Sequence, residues 1–136
     1  MKNTIFNYFG IALVFLVFST SVAQNSVNIE LQDFVVVIET SAKEMKLTCK
    51  EGCSWDELVF KKKDFGAAQA IDAAGKTTLS EYNSKSKAGQ SFLFTIQKNA
   101  TNIVLQGIDG TKWEELTYSC TDTRCLQTLN QYGMPL

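Results

Sequence analysis

Alternating hydrophobic and polar positions mark two similar strands in this chain, one at 34–40 and one at 92–98. The runs are FVVVIET and FLFTIQK, with Phe at the first position and Ile at the fifth position of both. Because alternate side chains of a strand point to opposite faces, the Phe and Ile of each run are expected on one face, toward the core. A polar stretch, SAKE or NATN, follows each run and predicts a hairpin turn before a second strand.

These two strands belong to a longer internal repeat. A shift of 58 residues aligns 34–76 with 92–134 without a gap, and 11 of the 43 aligned positions carry identical residues. Average amino-acid usage would give roughly two or three identities by chance. Both copies contain the pattern G-x-x-W-x-E-L, at 52–58 and at 110–116. The match indicates a duplicated folding unit.

The rest of each copy predicts two further strands and a helix. A second strand follows the turn, Gly52 and Gly110 stand where a turn needs positive φ, and W-x-E-L-x-[FY] predicts a third strand. The copies close with AAQAIDAAG at 67–75 and CLQTLNQYG at 125–133. Both segments end in glycine, which often follows the last turn of a helix, so each is expected to form a two-turn helix.

The fold class expected from these patterns is α+β, with two tandem β-β-β-α repeats in one antiparallel-sheet domain that carries two short helices. The repeats span 33–76 and 91–134, and the polar segment 77–90 between them is expected to be an exposed connector. A unit of about 43 residues is too small to bury a stable core alone, so the two units are expected to share one. Before the first repeat, alternating apolar residues at 27–31 predict one additional strand.

The first 23 residues have the order of a cleavable secretory signal. Lys2 precedes an apolar run over 11–18, and small residues lead to Ala23, after which cleavage is expected. A retained membrane anchor is the alternative, but the apolar part is shorter than the roughly 20 residues of a spanning helix and no basic cluster follows it. Cleavage leaves residues 24–136 as one domain, secreted or periplasmic, with no membrane attachment.

Cysteine usage supports export. All four cysteines lie after the predicted leader, where an oxidising compartment favours disulfides. Four cysteines allow three pairings, and the two favoured here each close a short polar loop. The favoured pairs are Cys49 with Cys53 and Cys120 with Cys125. A four-thiolate zinc site is the alternative that the spacing leaves open, although export works against it, so no metal or cofactor is expected.

The absence of histidine limits the chemistry of the chain. Without imidazole there is no Ser-His-Asp triad, no Cys-His pair and no histidine-ligated metal. A carboxylate pair is the remaining route to hydrolysis, and it requires two acids roughly 5–10 Å apart in a cleft. The neighbouring acids at 56–57 and at 114–115 lie on strands, where adjacent side chains point to opposite faces. They are expected to form a solvated acidic edge, and no catalytic residue is predicted.

Two tryptophans are the first candidate binding residues. Trp55 and Trp113 occupy equivalent positions of the two copies. Exposed aromatic rings stack on sugars and anchor protein interfaces, which would make this pair a carbohydrate site. The alternative is that each ring covers the end of the core in its own unit. Their presence in both copies favours this structural role, because duplicated units share the need to fold.

A basic loop that differs between the copies is the second candidate. Its residues are Lys61, Lys62, Lys63 and Phe65, and the second copy has the neutral stretch 119–123 around this position. A difference of this kind would make a binding edge selective.

The net charge of the chain argues against one class of partner. Loss of Lys2 with the leader changes the net charge from −1 to about −2, and no basic stripe runs along the chain. Nucleic acid is therefore not an expected partner.

Four segments of the chain carry a resemblance to known sequences: a leader that ends in Ala-Gln, the strand FLFTIQK, the stretch LQGIDGTKWEELTYSC and the closing QTLNQYGM. Together they resemble small secreted proteins of flavobacteria and related Bacteroidota, in which G-x-x-W-x-x-L-x-F precedes Q-x-[IL]-[DN]-x-x-G-M. The resemblance covers most of the second repeat and less of the first, where Lys76 stands in the place of Met134. It implies secretion and a shared fold, and it adds no catalytic residue.

The combined expectation is a non-enzymatic, secreted or periplasmic binding module, such as an inhibitor or an accessory protein. Its partner would be a protein or a glycan. The alternative is a carbohydrate-binding module that uses Trp55 and Trp113, and a small carboxylate hydrolase is the third hypothesis.

Overall fold

The computed structural model describes residues 31–85 and 91–135, and these residues form strands with one α-helix and one 3₁₀ turn. In chain order the strands are β1 (Val35–Ser41), β2 (Glu44–Glu51), β3 (Glu57–Lys61), β4 (Gln69–Asp72), β5 (Gly75–Thr77), β6 (Leu93–Asn99), β7 (Asn102–Asp109), β8 (Glu115–Ser119) and β9 (Arg124–Asn130). The 3₁₀ turn Lys62–Asp64 follows β3, and helix α1 (Leu79–Lys85) lies between β5 and β6. The predicted leader and most of the additional strand predicted before the first repeat lie outside the described residues.

The strands form two antiparallel sheets. The four-stranded sheet has the order β3-β2-β1-β9, and the five-stranded sheet has the order β5-β4-β6-β7-β8. Inward-facing side chains of both sheets build one buried cluster, as the alternating pattern of the sequence predicts. The rings of Phe34 and Phe92, which occupy equivalent positions of the two repeats, stack at its centre with their centroids 4.1 Å apart.

This mostly β architecture shows that the predicted α+β fold, with two β-β-β-α repeats and two helices, is wrong. The segments 67–75 and 125–133 form β4 and β9 and the turns that follow them. Their apolar residues fit a strand equally well, because Ile71 and Leu129 point inward and each strand gains a neighbour in a sheet. Pairing with β6 and β1 overrides the weak helical preference of these short segments.

The structure repeats with the same 58-residue period as the sequence. The bounds of β1, β2 and β3 shifted by 58 give those of β6, β7 and β8. Irregular pairing also recurs, at 35–36 of β1 and at 93–94 of β6. Each repeat is therefore a β-β-β-β unit in which the last strand takes the place of the predicted helix.

The two repeats exchange their last strands. β4 leaves the first repeat and pairs with β6 of the second, with Ile71 opposite Phe94. β9 leaves the second repeat and pairs with β1 of the first, with Leu129 opposite Val36. The four-stranded sheet thus contains three strands of the first repeat and one of the second, and the five-stranded sheet contains three strands of the second repeat with β4 and β5. Neither repeat therefore completes its sheet alone.

Part of the segment between the repeats packs on the five-stranded sheet. Thr78 caps α1 by accepting a hydrogen bond from the backbone N–H of Glu81. The ring of Tyr82 is buried against Ala70 and Leu93 on the outer face of the sheet, and its hydroxyl donates to the carboxylate of Asp109. This part of the predicted exposed connector is therefore attached to the sheet. Among the described residues, no helix has the length and hydropathy needed to cross a membrane.

Candidate functional site

Both tryptophans are tied to the turns that follow the exchanged strands. The indole Nε1–H of Trp55 donates to the carbonyl oxygen of Asp72, and that of Trp113 donates to the carbonyl oxygen of Asn130, each at 2.9 Å. Trp113 is 8% exposed, whereas Trp55 is half-buried. The indole N–H groups are therefore used within the fold, and only Trp55 offers part of a ring to solvent.

The residues that accept these bonds also shape their turns. The side-chain oxygens of Asp72 and Asn130 each accept two backbone N–H groups from the following turn. Gly75 and Gly133 end these turns with φ of +128° and +129°, a conformation that glycine adopts without steric cost. The repeated pattern G-x-x-W-x-E-L is thus explained by a tryptophan that lies just before the third strand of each repeat and holds the turn after the fourth strand.

Two disulfides are present, Cys49–Cys53 and Cys120–Cys125, which confirms the disulfide prediction. All four thiols are consumed, so none is left as a thiolate for the zinc alternative. At the positions of Cys49 and Cys53 the second repeat has Gly107 and Thr111. There the Thr111 hydroxyl donates to the carbonyl oxygen of Trp113 at 2.9 Å, so close packing replaces the disulfide.

The predicted basic loop is divided between the surface and the interior. Lys62 and Lys63 are exposed, but Phe65 is 8% exposed and lies under Lys98, whose ammonium is 4.8 Å from the ring centroid. Lys61 donates to the carboxylate of Glu44 at 2.8 Å, and this hydrogen bond and the lysine charge lower the pKa of Glu44. The lysines of the loop are therefore accessible, while its aromatic ring is not.

The fold adds two more lysines to this loop. The backbone N–H of Lys62 donates to the carbonyl oxygen of Lys43 in the turn between β1 and β2. Lys98, at the end of β6, donates from its ammonium to the carbonyl oxygen of Ser41 at 3.3 Å. We name this group the basic end of the molecule; its members are Lys43, Lys61, Lys62, Lys63 and Lys98.

Lys43 and Lys98 lie outside the run of lysines at 61–63, although the sequence contains a signal for their position. Lys43 lies in the predicted hairpin turn SAKE, and Lys98 directly precedes the predicted turn NATN. In a sheet of hairpins, the turn after the first strand and the end of the third strand lie at the same end. Tracing the hairpins would therefore have placed Lys43 next to the loop at 61–65.

The opposite end of both sheets is acidic. It contains the turns at 50–56, 73–74, 109–114 and 131–135, and the predicted acidic edge at 56–57 and 114–115 is fully exposed there. Its acids are Asp33, Glu51, Asp56, Glu57, Asp72, Asp109, Glu114 and Glu115, against Lys50 and Lys112. Within residues 31–85 and 91–135, no group of three or more acidic or cysteine side chains has the arrangement of a metal site. Acidic residues therefore predominate at this end of the molecule.

Two hydroxyl groups are buried between the sheets next to the Cys120–Cys125 disulfide. Neither Thr40 Oγ1 nor the hydroxyl of Tyr118 has a hydrogen-bond partner among the described residues. Burial raises the pKa of Tyr118 to about 12, and the neighbouring Thr40 hydroxyl acts weakly in the other direction. The first repeat has Phe60 in place of Tyr118, so of the two equivalent positions only the one in the second repeat carries a buried hydroxyl.

A shallow cavity of about 130 Å³ lies beside the turn after β9. It is lined by Asn130, Tyr132, Gly133, Met134 and Pro135. Pockets for drug-sized ligands are usually about 300–1,000 Å³. This cavity would therefore hold one side chain of a partner rather than a whole small molecule.

Comparisons with protein-family models, with curated proteins and with solved structures found no match. The similarity to small secreted proteins of Bacteroidota therefore stays a prediction. The function is therefore inferred from the surface of the chain itself, where the fold assembles the basic end from separate segments.

Proposed function

We propose that this protein is a non-enzymatic, exported binding module that engages an acidic partner through its basic end. The observation that carries the proposal is the meeting of lysines from three separate segments at one end of the two sheets. Lys62 and Lys98 are joined to the β1–β2 turn by the hydrogen bonds to Lys43 and Ser41. Only the fold brings these positive charges together.

The five lysines of the basic end outnumber the acids adjacent to them in the chain, which are Glu44 and Asp64. Of the five, only Lys61 has a carboxylate of a described residue within ion-pair distance, that of Glu44 at 2.8 Å. Elsewhere Lys46 pairs with Glu39, and Lys76 donates to a backbone carbonyl of β3. Clustered charge of one sign attracts partners of the opposite sign and speeds their association, in a manner that salt screens.

Export is the second part of the proposal. Two disulfides persist most readily in an oxidising compartment, and the predicted leader would direct the chain there. We therefore propose a secreted or periplasmic location, where acidic proteins and anionic glycans are both available as partners. An inhibitor or an accessory protein would need no catalytic residue for such a role.

Polyglutamate and heparin are suitable probes of this function, one for acidic protein and one for anionic glycan. The double substitution Lys62→Gln with Lys63→Gln is expected to weaken binding of the favoured probe by about tenfold, because two exposed charge contacts are lost. Lys50→Gln with Lys112→Gln is the matched control, since it removes the same charge from exposed positions at the acidic end. Equal weakening by both pairs, or no binding of either probe, would refute the proposal.

A carbohydrate-binding role is the second candidate, and it depends on Trp55. This ring is half-buried and borders the Cys49–Cys53 loop, whereas Trp113 is 8% exposed. Sugars that stack on Trp55 would change its fluorescence, and a Trp55→Phe variant would lose the change. A neutral glycan panel that leaves the fluorescence unaltered would reject this role.

A further inference from the structure

One edge of the four-stranded sheet lacks the cover that its counterpart has. In the five-stranded sheet, β5 pairs with the outer side of β4. β9 is the equivalent of β4, and among the described residues no strand pairs with its outer side. The pseudo-symmetry of the fold thus identifies a position for one more strand beside β9.

The hairpin that would fill this position stops after its first bridge. Asn130 bridges Gly133, as Asp72 pairs with Gly75 in the first repeat. The next equivalent positions are Met134 and Pro135, where the first repeat has Lys76 and Thr77 in β5. Proline has no backbone N–H to donate to a neighbouring strand. Within residues 31–85 and 91–135, the outer side of β9 therefore has no partner strand from Arg124 to Thr128.

The sequence of β9 lacks the usual protection of an open edge. Edge strands commonly carry lysines, inward charges or prolines that prevent pairing with other chains. At the edge of β3, Lys76 reaches over and donates to the carbonyl oxygen of Val59 at 2.8 Å. β9 has a single charge, Arg124 at its start, and its Leu126 is 61% exposed on the outer face.

We infer that β9 pairs in antiparallel fashion with β9 of a second copy of this chain, which joins two four-stranded sheets into one of eight strands. A two-fold axis through Leu126 places the two exposed leucines against each other and sets Arg124 opposite Thr128. This arrangement avoids like charges across the pair, which would be destabilising.

A second copy of the chain is favoured over other partners because two copies of β9 fit each other without a charged partner. Its one cation is already ion-paired within its own chain, to Glu39 at 2.7 Å, so the edge offers no charge to recognise a charged peptide. Leu126 lies near the middle of the strand, so a two-fold axis at this residue buries the exposed leucine side chains of both copies. The inference does not depend on the basic end, which lies away from the centre of β9.

Sedimentation of the purified protein at about 100 μM tests the inference, since a weak edge-to-edge contact is populated in that concentration range. The wild-type protein is expected to sediment as a dimer, and Leu126→Lys as a monomer, because two ammonium groups would meet on the axis. Thr117→Lys is the matched control: it adds the same charge to an exposed position of the edge strand β8 and should stay dimeric. Unchanged thermal unfolding of both variants at low concentration would show that each is folded.

A monomeric wild-type protein, or a Leu126→Lys variant that remains dimeric, overturns the inference. If the wild-type protein is monomeric, hydrogen exchange at the amides of Leu126 and Thr128 identifies what pairs with the outer side of β9. Protected amides in a monomer would assign the edge to the chain's own residues before 31. Unprotected amides would leave it open to an extended strand of another protein.

Discussion

At the residue scale, small differences between the repeats have clear physical consequences. Gly107 takes the position of Cys49, and a Cβ atom there would overlap the carbonyl oxygen of Trp113 and the hydroxyl of Thr111. A backbone oxygen cannot move aside as a flexible side chain does. The glycine is therefore required by close packing rather than by an unusual φ.

The first prediction concerns this contact. Gly107→Ala is expected to lower the free energy of unfolding by about 2 kcal/mol, the usual range for overpacking a well-filled site. Gly66→Ala is the control, because a Cβ there meets no atom within 4 Å, and it should change stability by less than about 0.5 kcal/mol. Urea denaturation of both variants measures the difference, and equal effects would show that the site relaxes.

The second prediction concerns Tyr118. Its hydroxyl is buried without a partner, so Tyr118→Phe, the residue type of Phe60 in the first repeat, is expected to keep or raise stability by up to about 1 kcal/mol. The pKa of Tyr118 is raised from 10.0 to about 12, so its titration leaves the stability unchanged below pH 10 and lowers the stability as the pH rises toward 12. That loss amounts to about 3 kcal/mol.

Unfolding experiments between pH 9 and pH 12 check this pH dependence. Tyr118→Phe should remove this part of the alkaline loss of stability, whereas Tyr132→Phe, at a residue that is 63% exposed, should retain it. If the free energy of unfolding of Tyr118→Phe falls with alkaline pH as steeply as that of the wild-type protein, a group other than Tyr118 causes the loss.

At the element scale, the fold depends on strands that pair outside their own repeat. Local patterns predicted the first three strands of each repeat, their turns and the 58-residue period, because alternation and turn residues are local signals. For the fourth strand, the same local patterns predict a helix. A nine-residue segment with a single large inward-facing apolar residue, Ile71 or Leu129, does not distinguish the helical period from the strand period. The partner strand that decides between them lies in the other repeat.

The third prediction concerns the tryptophans that hold the turns after these exchanged strands. Trp113→Phe is expected to cost about 2–3 kcal/mol, because it removes the hydrogen bond to Asn130 and part of a buried ring. Trp55→Phe loses the equivalent bond to Asp72 but less burial, so its cost should be smaller. Thermal or urea unfolding of the two variants gives the order, and the reverse order would contradict the structural role of Trp113.

At the scale of the whole molecule, the main property is the separation of charge between the two ends. A net charge of −1 conceals it, because basic and acidic groups nearly cancel along the chain. The run at 61–63 was visible in the sequence, but its union with Lys43 and Lys98 is a product of the fold. Phe65, which the sequence placed beside these lysines as a binding residue, is buried because its ring fills the core where the chain crosses between sheets.

The affinity of the protein for polyglutamate, measured by calorimetry at several salt concentrations, tests the binding function most directly. The proposal predicts that binding weakens as salt rises, because clustered exposed charges carry it. The Lys62→Gln, Lys63→Gln variant should bind more weakly and show a smaller dependence on salt, while the Lys50→Gln, Lys112→Gln variant should behave as the wild-type protein. Identical salt dependence in all three proteins would contradict the assignment of binding to the basic end.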